Sequence, residues 1–169
     1  MLVDGVPYRT IWLADDNWTI EIIDQTKLPH EFKIVQLKTL QDTAIAIRDM
    51  WVRGAPLIGA TAAYGAALAM REDPSDNNID KMYDYLFATR PTAVNLQWAL
   101  DEMKALLINT PMDQREIKAY ERAAEICNED VEICSNIGMH GAKLIQDVYE
   151  DNKGSPVNIL THCNAGWLA

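Results

Sequence analysis

Cysteine, phenylalanine and positive charge are all scarce in this chain, and no long hydrophobic run crosses it. Its 169 residues hold three Cys and two Phe, and 15 Lys plus Arg stand against 25 Asp plus Glu, a formal charge of −10. So acidic a chain repels a phosphate backbone, which excludes a broad nucleic-acid surface. Cys127 and Cys134 lie seven residues apart in a helical pattern. Their Cα atoms would sit about 10 Å apart along one helix, farther than the roughly 7 Å a disulfide can bridge. No CxxC pair or Cys/His cluster has zinc spacing, so no metal is expected. Sparse, unpaired cysteines fit a reduced, cytoplasmic compartment. No basic start followed by an apolar run opens the chain, so no secretory signal is read. The longest uncharged stretch, residues 54–70, is shorter than the roughly 20 residues a bilayer needs. It is rich in Ala and Gly, which suits a closely packed buried helix rather than a membrane partner.

What is present is enough for a core. Hydrophobic residues make up 49% of the chain, which excludes disorder. A chain of this length buries about 70% of its unfolded surface. The first forty residues read as β, with strands predicted over 8–13, 18–23 and 32–37 and a break at Leu28-Pro29. Helices follow. Thr39 can cap a helix beginning at Leu40, which Gly54 would end, and Pro56 suits the first turn of the next, running to about Met70. Further helices are predicted over 79–88, from Thr92 through Leu107, and over about 113–149. The last carries a seam at Ile117, Tyr120, Ala124, Cys127, Val131, Cys134, Gly138, Gly141, Ile145 and Val148, spaced by threes and fours. Residues 157–162 read as a buried strand, the opening of a second, α/β domain. The expected fold is mainly α, a helical domain with a small antiparallel β-sheet. It divides into a sheet region at 1–38, a helical domain at 39–153 and the start of a truncated domain at 154–169.

Two features carry chemistry. Arg53-Gly54-Ala55-Pro56 and Arg90-Pro91-Thr92 each precede a helix. A cation there opposes the helix macrodipole, and an anion held between the guanidinium and the free backbone N–H groups would relieve the conflict. The competing reading is a pair of surface arginines bonded to nearby acids. The second feature is Cys163, in Thr161-His162-Cys163-Asn164-Ala165-Gly166, just after the expected strand. Ligands of open α/β sheets sit at such strand ends. The alternative is a buried Cys acting as a small hydrophobe. His140 reads as helix packing and His162 as structural, His30 lies in a loop with no partner in view, Cys127 and Cys134 read as core, and Trp12, Trp18 and Trp51 as ordinary packing.

Several of these stretches together resemble the methylthioribose-1-phosphate isomerase family, within the initiation factor 2B alpha/beta/delta-like superfamily. They are Ile23-Asp24-Gln25-Thr26 with Leu28-Pro29, residues 52–59 (VRGAPLIG), Ala62-Ala63-Tyr64-Gly65, residues 89–96 (TRPTAVNL), Ile137-Gly138 with His140-Gly141-Ala142, and residues 159–169 (ILTHCNAGWLA). The resemblance implies that the 154–169 segment starts a Rossmann-like domain. It implies an aldose–ketose isomerase of methionine salvage that needs no organic cofactor. Arg53, Gly54, Ala55 and Arg90 match positions that bind the sugar phosphate, and Cys163 matches the active-site cysteine. It also implies a homodimer, or association with a missing C-terminal half, since family members are about twice this length. The catalytic aspartate is then expected beyond residue 169, and the chain alone is expected to be inactive. Two other readings stay open at this point: a related deoxyribose or ribose phosphate isomerase, and a non-catalytic regulatory subunit of the translation-factor exchange type.

Overall fold

The protein is described here from a computed structural model covering residues 2–162. A two-residue hairpin, β1 (Leu2–Val3) and β2 (Val6–Pro7), opens the chain. It is followed by a three-stranded antiparallel sheet of β3 (Ile11–Leu13), β4 (Ile20–Ile23) and β5 (Ile34–Leu37), with β4 in the centre. Ile20 pairs with Leu13 and Leu37, and Ile22 with Ile11 and Val35. Ile20 and Ile22 are completely buried. Between them, Glu21 accepts hydrogen bonds from Trp12 Nε1 (2.8 Å) and Gln36 Nε2 (3.0 Å) across both neighbouring strands. The alternation separates an apolar face from a polar one.

Five helices follow: α1 (Leu40–Arg48), α2 (Ala55–Glu72), α3 (Asp76–Phe87), α4 (Val94–Ile108) and α5 (Arg115–Asp151), the last preceded by a 3₁₀ turn at Met112–Gln114. Thr39 caps α1 as expected. Its hydroxyl accepts from the Asp42 N–H, and the Asp42 carboxylate accepts from the Thr39 N–H in return. Helix α2 is the centre of the molecule. Every residue from Leu57 to Met70 is buried, and α1, α3, α4 and α5 all pack on it. Its small side chains let the neighbours approach closely. A Cβ placed on Gly65 would lie 2.7 Å from Thr43 Cγ2 of α1, and one on Gly59 would lie 2.9 Å from the Asn95 carbonyl oxygen of α4. One core runs from the sheet through all five helices.

A buried arginine ties the far ends together. Arg115 Nε donates to the carbonyls of Leu107 (3.0 Å) and Thr110 (3.1 Å), and its guanidinium also reaches the Pro74 carbonyl (2.6 Å) and Asp76. The end of α4 therefore lies beside the end of α2, while Asn95 at the start of α4 lies against Gly59 near the start of α2. The two helices run parallel, with their N-termini at the same end. Helix α5 runs the other way, since Glu116 near its start bonds Arg71 near the end of α2.

Three expectations need correction. Helix α1 ends at Arg48, capped by Asp49, with Met50 at positive φ. Gly54 instead forms the N-cap of α2, at φ +93°, a conformation that favours glycine. The buried face of α5 is Ala119, Ala123, Ile126 and Cys127, whereas Ile117 is 62% exposed. The two alanines face the Ala-rich α2, where only small side chains fit the gap, while Tyr120 of the expected seam packs at the edge of the core with its hydroxyl donating to the Trp18 carbonyl (2.9 Å). Residues 157–162 form no strand, and Leu160 is 98% exposed. A strand is held by its ladder neighbours, and none among the described residues pairs with it. Cys163, with the rest of 163–169, lies outside the described residues.

Candidate functional site

The parallel packing of α2 and α4 brings two helix N-termini to one end of the bundle. They share a peculiarity. Helices α1, α3 and α5 carry an acid in the first turn (Asp42, Asp76 and Glu116), as the macrodipole favours. Helices α2 and α4 carry none, and like α3 and α5 they have no side-chain cap. In a chain with ten more acids than bases, the two ends left without negative charge are the two preceded by arginine. Gly54 opens the backbone at the first of them. With Pro56 at the second helical position, the N–H groups of Ala55 and Leu57 have no carbonyl above them within the helix.

The arginines themselves separate into two sets. Arg9, Arg48, Arg71, Arg115 and Arg122 all donate to side-chain or backbone oxygens. Arg53, exposed, and Arg90, half-buried, make no side-chain hydrogen bond or ion pair among the described residues. The reading in which nearby acids neutralise them therefore loses its partners. Two unpaired guanidinium groups flanking two uncapped, parallel helix starts are a constellation suited to a phosphate or carboxylate.

An open cavity of about 690 Å³ adjoins the first turn of α2 through Pro56 and Leu57. Tyr8 and Ile11 line one side, and Cys127, Asp130 and Cys134 of α5 line the other. Sequence reasoning missed these α5 residues as a lining, although their spacing of three and four places them on one face. It also took Cys134 as core, whereas only Cys127 is buried. Neither thiol is activated. Burial pushes Cys127 up to about 11. Burial also raises Cys134, aided by the neighbouring Asp130 carboxylate, 3.9 Å from its sulfur. Both are thiols at neutral pH and poor nucleophiles. Tyr64, beneath Cys127, is raised by burial as well. His30, His140 and His162 are exposed. Trp18 packs under the Arg71 guanidinium, 4.5 Å from the ring centroid, and does not line the cavity. Among the described residues no group of three His, Cys, Asp or Glu is arranged to hold a metal ion, and no helix is long and apolar enough to cross a membrane.

Comparison with known proteins bears on this arrangement. A methylthioribose-1-phosphate isomerase of Paramagnetospirillum magneticum is 59% identical over 169 residues, covering all of this chain and 46% of the relative. One of Escherichia coli O45:K1 is 53% identical over 170 residues, covering 46% of that relative. The chain thus spans about half the length of the curated relatives it matches. The crystal structure of 5-methylthioribose 1-phosphate isomerase from Pyrococcus horikoshii OT3 superposes with a TM-score of 0.72 at 37% identity, over 80% of this chain and 40% of that one. Translation initiation factor eIF-2B, subunit delta, from A. fulgidus superposes with a TM-score of 0.67 at 34% identity, over 75% of this chain and 38% of that one. The family model described as the initiation factor 2 subunit family matches residues 51–169, from Trp51 just before the first helix start through Arg90 and the whole of α5. On that match, which takes in both arginine-flanked helix starts, the chain belongs to the initiation factor 2 subunit family.

Proposed function

We propose that this chain supplies the phosphate-binding part of an isomerase that converts 5-methylthioribose 1-phosphate to 5-methylthioribulose 1-phosphate. The observation that carries the reading is the pair of unpaired arginines, Arg53 and Arg90, beside two parallel helix starts that lack both acids and caps. The relatives' names support the choice of sugar phosphate. In this reading Arg53 and Arg90 hold the phosphate, and the Ala55 backbone N–H donates to it. Gly54 gives the room for close approach. The cavity beside α2 falls within the size range of small-molecule sites and leaves space for the rest of the sugar.

The chemistry follows from the substrate. Its anomeric oxygen is esterified to the phosphate, so ring opening cannot give a free aldehyde; an acid must protonate the ring oxygen as its bond to C1 breaks, and the C2 hydroxyl gives up its proton as C2 becomes the ketone. Hydrogen then moves from C2 to C1. Cys163 is the residue of this chain we assign to that step. The acid lies in the part of the full-length relatives that this chain does not span, so 1–169 alone binds substrate but does not turn it over. The residues from about 154 begin a second, Rossmann-like domain, and the intact enzyme is a cytoplasmic homodimer.

The test is binding of a non-isomerisable sugar phosphate to purified 1–169 by calorimetry. Arg53→Ala or Arg90→Ala is expected to weaken it at least tenfold, since a charge-assisted hydrogen bond contributes about 1.5–3 kcal/mol. Unchanged affinity in both variants refutes the anion site. The likeness to an eIF-2B delta subunit supports a second, regulatory reading. Absence of sugar-phosphate binding by the chain, together with tight binding to a translation-factor subunit, would favour that one.

A further inference from the structure

A glycine sets the gap between the starts of α2 and α4. Gly59, the fifth residue of α2, is buried. A Cβ built on it would lie 2.9 Å from the Asn95 carbonyl oxygen and 3.5 Å from the Asn95 Cβ. With no side chain at Gly59, Asn95, the second residue of α4, faces α2 directly. Helical side chains lean toward the N-terminus of their own helix. Because the two helices are parallel, that lean carries the Asn95 carboxamide from Gly59 toward the first residue of α2, about 6 Å away along the axis. Arg90 is held close to the same helix start. The Ala93 N–H donates to the Arg90 carbonyl (2.9 Å), a turn that folds Arg90 back on the beginning of α4.

The carboxamide has no protein partner there. Among the described asparagines only Asn78 and Asn95 are half-buried, and the others are exposed. Asn78 Nδ2 donates to the carbonyls of Ala69 (3.1 Å) and Asp73 (2.7 Å). Asn95 makes no side-chain hydrogen bond among the described residues. It also stands where other helices place an acid. Glu116 holds the same second position in α5 that Asn95 holds in α4, and Asp42 and Asp76 fill the first turns of α1 and α3. Asparagine is the neutral counterpart of aspartate. It keeps the size and supplies two N–H donors where a carboxylate only accepts. A neutral donor at the positive helix end that Arg53 and Arg90 flank suits an anion that an acid would repel.

We propose that Asn95 is a further phosphate-binding residue, its Nδ2 donating to an oxygen of the anion held by Arg53 and Arg90, with Gly59 keeping it within reach. The assignment rests on the sugar-phosphate reading above and adds to it a neutral donor from α4.

The test titrates purified 1–169 and its variants with inorganic phosphate by calorimetry, beside their melting temperatures. Asn95→Ala is expected to weaken phosphate binding about tenfold, the loss of one hydrogen bond to a charged group. Asn95→Asp is expected to weaken it by about 50-fold or more while raising the melting temperature by about 1–4 °C. An acid in the first turn favours the helix and opposes the anion. A merely structural Asn95 would not move the two readouts in opposite directions. Val94→Asp puts the same charge one residue earlier, on a side chain 78% exposed, and is expected to weaken binding less than about threefold, because water and salt screen it. Affinity within twofold of the parent in Asn95→Ala, with Arg53→Ala and Arg90→Ala both weakened, overturns this assignment and leaves the functional reading standing. So does a loss in Val94→Asp equal to that in Asn95→Asp, which would make the effect one of net charge. Failure of the parent chain to bind phosphate overturns both.

Discussion

Helix α2 and the distal half of α5 are both rich in apolar residues, and they occupy opposite surroundings. In α2 every residue from 57 to 70 is buried. In α5 every residue from 131 to 140 is exposed, Ile133, Ile137 and Met139 among them. The difference lies in neighbours rather than in hydrophobicity. Helix α2 is lined on all sides with Ala and Gly, so four helices close around it at short range. The far end of α5 carries large apolar side chains around much of its circumference, Ile133 and Ile137 on one side and Met139 and Tyr149 on the other, and few elements pack on it. A buried helix and a bare one thus differ in which surface has a partner within reach.

Truncation should break the symmetry most visibly. Leu100→Ala removes a completely buried side chain from α4 and is expected to cost about 3 kcal/mol in urea unfolding. Leu144→Ala on the bare face is expected to change stability by less than about 0.5 kcal/mol. Similar losses at both positions would mean that the distal half of α5 is packed in this chain after all. Glycine substitution sharpens the contrast into a difference of sign. Gly59→Ala forces a Cβ to within 2.9 Å of the Asn95 carbonyl and should destabilise by about 2 kcal/mol as α2 and α4 move apart. Gly141→Ala enters open space in a helix interior and should stabilise by about 0.5–1 kcal/mol, because alanine loses less backbone freedom than glycine on folding. Melting temperatures that fall for both would argue against the open surroundings of Gly141.

The smallest expected effect is one of pH. Burial raises the Cys127 thiol from its usual value near 9 to about 11. Between those values the unfolded chain has released a proton that the folded chain keeps. This contribution is therefore fully present below about pH 8 and diminishes as pH rises toward 11, by about 1 kcal/mol at pH 10. Denaturation curves at pH 8 and pH 10 should show that loss in the parent chain and a smaller one in Cys127→Ala. An equally steep loss in Cys127→Ala would assign the pH dependence to other groups.

Much of the bundle was legible because its signals are local. The Thr39 cap, Pro56 in the first turn of α2 and the apolar spacing of α4 each act within a turn or two of backbone. The candidate anion site was half legible. Two arginines ahead of two helices could be seen, but not that the helices are parallel and adjacent. Nor could it be seen that five other arginines find partners while these two find none among the described residues. The α5 seam was set about one residue out of phase: Cys127 on it is buried and Tyr120 packs on the core, but the buried stripe runs through Ala119, Ala123 and Ile126. At Ala119 and Ala123 the opposing surface of α2 admits only small side chains, and that surface lies about fifty to sixty residues away in the sequence.

The order of the helices and the starts of α1 and α2 were written in the sequence, because capping, proline geometry and helical periodicity depend on residues a few positions apart. The meeting of Gly59 with Asn95, and with it the convergence of two positive helix ends, was decided by tertiary structure. So was the division of α5 into a covered half and a bare one. These depend on which surfaces fit together across large separations, and close packing selects that fit from the shapes of whole helices rather than from any short stretch of chain.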